Sequence, residues 1–305
     1  MTGGMVVNTS RLFENIYLID TGGFGLRNAI SIVAIEGDKG VLLDSGTAST
    51  SKRVVSTLAE LGIAPSRIHY VMPSHRHFDH AGGAVPLLRL FPKASIAGHE
   101  YLVKYLVDPS KINAGAIEAF ESYADPMLPL EDDRKYSVVK NGDVIDLGRG
   151  LELEIISSPG HTSDHLSFYE RNSRLMFCGD SAGSFEYPSK IVTPASFPPS
   201  FRYHEYVSSI EKMLTYDIRI LCFTHFGAIL GEEAKETLRR ALEVSVKWRD
   251  FVQELQRENR TEESIVKVLR EQHIGELRIF PRSVKDKVAY LLAYGFLMGL
   301  RDTAS

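Results

Sequence analysis

Three histidines and an aspartate, His75, His77, Asp79 and His80, fall within six residues of a Pro73-Ser74-His75-Arg76-His77-Phe78-Asp79-His80-Ala81-Gly82-Gly83 segment that follows the apolar run Ile68 to Met72. In a loop at a strand end, His75 and His77 reach one side while Asp79 and His80 reach another, which is the geometry of two neighbouring metal positions. Zinc takes imidazole nitrogen and carboxylate oxygen at about 2.0 to 2.2 Å, and a catalytic site keeps one position open for water. Four ligands from one loop leave two ions under-coordinated, so further ligands must come from other strand ends. His161 (in Ser158-Pro159-Gly160-His161-Thr162), Asp180 (after Cys178-Gly179) and His225 (in Phe223-Thr224-His225-Phe226-Gly227) each follow an apolar run and sit beside glycine or a small polar residue. A lone histidine after a strand is usually structural, and it is the conjunction that points to metal chemistry.

These residues need strands to position them. Ile16 to Ile19, Ala29 to Ile35 and Val41 to Leu43 read as consecutive strands separated by glycine-containing turns. Val54, Val55, Leu58 and Leu61 then fall at helical spacing, and Ile68 to Met72 returns to strand. Strands at Tyr136 to Val139, Leu151 to Ser157, Leu166 to Tyr169, Leu175 to Cys178 and Ile220 to Phe223 form a second set. The pattern predicts mixed sheets covered by helices. Residues 100–135 read as a helical insertion near the site. Val41-Leu42-Leu43-Asp44-Ser45 and Met176-Phe177-Cys178-Gly179-Asp180-Ser181 echo each other, each an apolar strand that delivers a carboxylate where a loop begins. Beyond residue 230 the periodicity predicts helices at 232–258, 261–272 and 283–300, a C-terminal extension (231–305) suited to packing or to pairing of subunits.

An HxHxDH loop, a downstream Pro-Gly-His-Thr, a Cys-Gly-Asp aspartate and a late strand-end histidine, preceded by Leu42-Leu43-Asp44-Ser45-Gly46, resemble the metallo-β-lactamase superfamily over about residues 15–230. The resemblance implies an α/β, four-layer αβ/βα sandwich in residues 1–230. It implies that His75, His77 and His161 hold one divalent ion, that Asp79, His80 and His225 hold the other, and that Asp180 bridges them. Zinc is the expected metal, with iron or manganese as alternatives. Asp44 matches a position whose carboxylate orients a ligand histidine. Two such ions about 3.5 to 4 Å apart lower the pKa of a shared water from about 15.7 toward neutrality, so hydroxide attacks without a side-chain nucleophile. No G-x-S-x-G elbow suggests one.

The implied reaction is hydrolysis of an ester-like bond in a small molecule, with carboxylic ester, lactone or thioester favoured. Phosphodiester hydrolysis and mononuclear-iron persulfide oxidation, which shares HxHxDH, are the alternatives. Oxygen-reducing diiron relatives carry glutamate at the position of His77. Candidate substrate contacts are Tyr187, near the place where some related lactonases use a tyrosine, and Phe197 and Phe201 in the proline-rich segment Glu186 to Phe201. Tyr101, Tyr105, Phe120 and Tyr123 offer an opposite wall. His165, four residues after His161, is a candidate at the catalytic centre. His99 reads as structural, and His69, His204 and His273 receive no role.

Composition fits this reading. The 305 residues are 44% hydrophobic and 24% charged, with a formal charge of −4. No run of like charges favours capture of nucleic acid. Cys178 and Cys222 read as buried core thiols, and the absence of an N-terminal signal-like segment leads to an expectation of a cytoplasmic protein. The apolar stretch from Ala289 to Leu300 is short for a membrane span, which takes about 20 residues. Sparing use of Gln (253, 256 and 272) and Cys suggests a thermophilic source.

Overall fold

The computed structural model describes residues 4–301. Strand β1 (Gly4–Val6) is followed by β2 (Ser10–Phe13), β3 (Ile16–Asp20), β4 (Ser31–Ile35), β5 (Gly40–Leu43), β6 (Ile68–Met72), β7 (Ser95–Gly98) and β8 (Tyr136–Val138). Strands β2 to β8 lie side by side in chain order as one seven-stranded sheet, antiparallel from β2 to β5 and parallel from β5 to β8. The chain continues through β9 (Val144–Gly148), β10 (Leu151–Ser157), β11 (Leu166–Glu170) and β12 (Leu175–Phe177). A hairpin of β13 (Ser184–Glu186) and β14 (Ile191–Thr193) precedes β15 (Ile220–Phe223) and β16 (Gly227–Leu230). The second seven-stranded sheet runs β1-β16-β15-β12-β11-β10-β9, so the N-terminal strand closes the sheet built by the later half of the chain.

The sheets pack face to face. Leu18, Val33, Leu43 and Met72 of the first meet Leu153, Ile155, Phe168 and Phe177 of the second, all buried. Strand β4, Ser-Ile-Val-Ala-Ile, is buried at every position because Val33 and Ile35 face the other sheet while Ile32 and Ala34 face helices. Covering both faces favours such continuous apolar runs over alternation. The outer helices are α1 (Ser51–Glu60), α2 (Phe78–Ala81), α3 (Ala84–Leu90), α4 (Leu102–Val107) and α5 (Ser110–Phe120) on the first sheet, and α6 (Tyr203–Leu214), α7 (Glu232–Arg257) and α8 (Glu262–His273) on the second. The result is the four-layer αβ/βα sandwich expected from the sequence. No helix among the described residues is long and apolar enough to cross a membrane.

One expectation needs correction. Tyr136 to Val138, read as opening the second strand set, pairs parallel with β7 in the first sheet. The insertion between β7 and β8 is therefore a crossover that returns to the sheet it left, and the change of sheet comes only at β9. The C-terminal helices pack on the sandwich. In α9 (Lys285–Gly299), Val288, Ala289 and Leu292 join the core over the first sheet, while Ala293, Phe296 and Leu297 join the core over the second. This helix fastens the two outer layers together.

Gly295 marks where α9 meets the segment before α6. A β-carbon there would come within 1.8 Å of the Ser196 carbonyl oxygen and 2.8 Å of Pro198. Overpacking of a filled core costs about 1–3 kcal/mol, and a backbone atom cannot swing away as a side chain does. Gly295→Val should therefore lower the thermal unfolding midpoint by several degrees. An unchanged midpoint would mean that α9 is not seated on this segment in solution.

A candidate metal centre beneath an apolar cavity

The ligand-type residues come together at the carboxyl ends of strands. The loop after β6 turns into α2 and brings in His75, His77, Asp79 and His80, while His161 follows β10, Asp180 follows β12 and His225 follows β15. The His161 Nε2 lies 3.1 Å from His75 Nε2 and 3.0 Å from His77 Nδ1, and the latter two are 2.9 Å apart. An ion held tetrahedrally at about 2.0–2.1 Å spaces its nitrogens by about 3.3 Å, close to this triangle. A second set forms beside it. His225 Nε2 lies 3.2 Å from Asp79 Oδ2, and His80 Nε2 lies 3.9 Å from Asp79 Oδ1. Asp180 Oδ2 stands between the sets, 3.3 Å from His161 Nε2 and 3.5 Å from His80 Nε2.

Cations fit this arrangement. His80 Nε2 and Asp180 Oδ1 are buried without a hydrogen-bond partner, although buried polar atoms are normally satisfied. The ligand atoms of His75, His77 and His161, and likewise those of Asp79, His80 and His225, all lie within 4.8 Å of one another. A set rich in imidazole and carboxylate suits zinc and similar divalent ions.

The far side of each imidazole is held as well. His161 Nδ1 donates to the Ala195 carbonyl at 2.5 Å, and His225 Nδ1 donates to the Ala29 carbonyl at 2.8 Å. His80 Nδ1 donates to Asp44 Oδ2 at 2.7 Å. The same Asp44 carboxylate accepts from the Ser74 N–H at 2.6 Å and from the Thr224 hydroxyl at 2.7 Å. Asp44 thus fixes the orientation of the His80 imidazole. His165 lies behind the centre instead of facing a substrate. It is fully buried, its Nδ1 meets Ser158 Oγ at 2.9 Å, and its Nε2 accepts from the Asp180 N–H at 3.1 Å. Gly179 makes this approach possible, because at its φ of +50° a β-carbon would come within 2.7 Å of His165 Nε2.

The electrostatics favour ligation. Burial would raise the pKa of Asp79, but His80 and His225 more than offset this and bring it to about 2. Asp180 is likewise held well below the carboxylate range, burial being outweighed by His80, His225 and His161. Burial and neighbouring imidazoles push His75 and His77 well below the ordinary histidine value, so both are neutral with lone pairs free. Burial acts the same way on His80 and His225, yet the carboxylates of Asp180 and Asp79, joined at His80 by Asp44, raise both.

A cavity of about 280 Å³ opens over His77, Asp79, Asp180 and His225. Phe197 packs edge-on to the His161 ring at 6.4 Å, and Phe280 lies 5.9 Å from the His225 ring. Phe120 joins these walls, 6.2 Å from Phe197 and 5.9 Å from Phe280. Phe197 and Phe120 thus stand where the sequence reading put them, and Tyr105 also lines the cavity. Phe201 and Tyr187 do not. Phe201 is buried against Tyr206 and Phe296, and Tyr187 is half exposed outside the lining. Tyr101 and Tyr123 are likewise exposed and outside it. Sequence reasoning missed Arg76, Lys111 and Phe280. Arg76 sits between two ligands in the motif and was open to notice, whereas Phe280, in a connector between helices, carries no periodic signal.

Removing the Asp44 acceptor tests how far the centre depends on it. Loss of such supporting hydrogen bonds typically costs 10- to 100-fold in metal affinity. Asp44→Asn should weaken binding at the Asp79-His80-His225 set by about that factor in a competitive zinc titration, and unaltered affinity at both sets would remove the orienting role.

Comparison with known proteins agrees with this geometry. A family model described as the metallo-β-lactamase superfamily matches residues 22–225. A putative diflavin flavoprotein A 2 of Nostoc sp. is 29% identical over 163 residues, which make up 52% of this chain and 24% of that protein. A cytoplasmic hydroxyacylglutathione hydrolase of Arabidopsis thaliana is 28% identical over 172 residues, 50% of this chain and 56% of the relative. The chain thus spans about a quarter of the flavoprotein and just over half of the hydrolase. An archaeal metallo-β-lactamase superfamily protein from Sulfolobus tokodaii shares the fold with a TM-score of 0.66 at 19% identity, over 95% of this chain and all of the other. A metallo-β-lactamase family protein from Thermus thermophilus does so with a TM-score of 0.65 at 19% identity, over 96% of this chain and 95% of that one.

Proposed function

The chain belongs to the metallo-β-lactamase superfamily, and on that premise we propose that it is a metal-dependent hydrolase of an ester-like bond, either carboxylic ester, lactone or thioester, in a small substrate whose acyl part is apolar beside the scissile bond. The observation that supports this reading is that two neighbouring groups of ligand-type side chains, with Asp180 between them, lie at the floor of a cavity whose walls are aromatic and aliphatic. Two divalent ions, zinc by the donor set, would supply hydroxide at neutral pH and stabilise charge developing on the carbonyl oxygen.

The chain's own residues supply the rest. Asp180 and Asp79, ionised at neutral pH, hold negative charge against the centre, and His165 fixes the backbone from which Asp180 projects. Phe197, Phe120 and Phe280 hold the apolar part of a substrate and keep bulk water from the reacting bond. Orientation of this kind lowers the barrier by fixing the bond in reach of attack.

Several features separate this reading from its neighbours. A second group of ligand-type residues, Asp79, His80 and His225, stands beside the first, which favours two ions over the single iron of a sulfur oxygenase. A nucleic-acid backbone calls for an extended cationic track. Cavities of roughly 300–1,000 Å³ hold drug-sized molecules, and this one, at about 280 Å³, falls just below that range and suits a small substrate. The hydroxyacylglutathione hydrolase among the relatives supports hydrolysis at an acyl group, whereas the flavoproteins match through only a quarter of their length.

The test is a panel of esters, thioesters, lactones and phosphodiesters offered to protein loaded with zinc, manganese or iron, with metal content measured in parallel. We expect turnover of at least one acyl substrate, abolished by a strong chelator and by His161→Ala, with two ions per chain. Turnover that survives complete metal removal would overturn the proposal. Replacing Phe197 with Ala should raise KM for apolar acyl substrates several-fold with metal content unchanged; an unaltered KM would place this wall away from the bound substrate.

A further inference from the structure

We propose that the substrate is an acyl compound carrying a carboxylate at the end remote from the scissile bond, and that Lys111 is the residue that selects it. The inference rests on the acyl-hydrolase reading and adds the chemistry of the far end of the cavity.

Apart from the residues of the metal centre, the charged side chains of the lining are Arg76 and Lys111, both cationic. They are not equivalent. The Arg76 guanidinium donates to the buried carboxylate of Asp164 and to the Ser200 hydroxyl at 2.9 Å, and it lies over the Tyr105 ring, 5.2 Å from its centroid. Its charge is met by the protein, so it serves to tie the metal loop to the wall at Ser200. Lys111 is exposed and has neither an ion pair nor a side-chain hydrogen bond among the described residues. Nearby Lys104 lies over the faces of Tyr101 and Tyr105 and adds positive potential to the same wall.

The geometry of α5 orders these groups. Lys111, Ile112, Gly115, Ala116, Ala119 and Phe120 all line the cavity, a spacing that places them along one face of the helix. Phe120 is the end near the metal centre, since it packs on Phe197 and Phe280, which in turn pack on His161 and His225. Lys111 is nine residues away, about 13 Å along the axis at about 1.5 Å per residue. Between them the α5 surface is small and apolar. A ligand lying along this face therefore meets the reacting centre at one end, an apolar stripe in the middle and one uncompensated ammonium at the other. One such cation matches a monoanion, and a carboxylate there gains an attraction that a methyl-terminated chain lacks.

The metal-loaded enzyme can be compared on two esters of equal chain length, p-nitrophenyl octanoate and the mono-p-nitrophenyl ester of suberic acid. We expect wild type to favour the suberate ester in kcat/KM. Lys111→Ala should reduce that preference about three- to fivefold, the scale of a solvent-accessible ion pair, with the change in KM. Lys111→Glu should reverse the preference, and Lys111→Arg should keep it. A preference that is absent, or unmoved by these substitutions, overturns the inference. Failure of wild type to turn over either ester would count against the hydrolase reading alone. Calorimetric binding of suberamic acid against suberamide then decides the inference by itself. Tighter binding of the acid that weakens in Lys111→Ala supports it, and equal binding of the two overturns it.

Discussion

The structure depends on one buried carboxylate. Asp44 stands at the end of β5, and its two oxygens take hydrogen bonds from the Ser74 backbone, the His80 imidazole and the Thr224 hydroxyl. Ser74 and His80 belong to the ligand loop of the first sheet, whereas Thr224 adjoins His225 at the edge of the second. A single anion thus ties together the two halves that contribute to the candidate metal centre. It is fully buried, and charge-assisted hydrogen bonds of this kind are the stronger members of their class. Withdrawing one partner would leave that interior charge less fully offset against its desolvation.

Around that anchor the protein separates two tasks. Strand ends carry the candidate metal ligands, because strands paired on both sides are the stiffest available supports. The cavity walls come mostly from elsewhere: α5 in the crossover between β7 and β8, the Phe197–Ser200 segment, and Phe280 in the C-terminal connector. Helix α9 joins these contributions, since it is buried over both sheets and pressed against the segment that bears Phe197.

The candidate site was legible in the sequence because histidines and aspartates recur where apolar runs end, and the structure brings His75, His77, Asp79, His80, His161, Asp180 and His225 together there. The alternation of strands and helices was equally legible where apolar runs were long. Short edge strands such as Gly4–Val6 and Val144–Gly148 gave no such signal, since their pairing partners lie far along the chain. The placing of Tyr136–Val138 failed for the same reason, as sheet membership is settled by crossover geometry and not by local pattern. Aromatic residues were the least legible. Phe197 and Phe201 are four apart in one proline-rich segment, yet one faces the cavity and the other the core against α9, a difference that only the path of the backbone decides.

That path has a mechanical side. Within a few residues the same stretch of chain receives the His161 hydrogen bond at Ala195, presents Phe197 to the cavity and lies under Gly295 at Ser196 and Pro198. Phe197 is therefore not a free flap. A molecule wide enough to push it outward would have to bend a strut fixed to His161 at one point and to a buried helix at another, so the opening behaves as a rigid gauge whose aperture is set by the frame that holds the candidate metal centre.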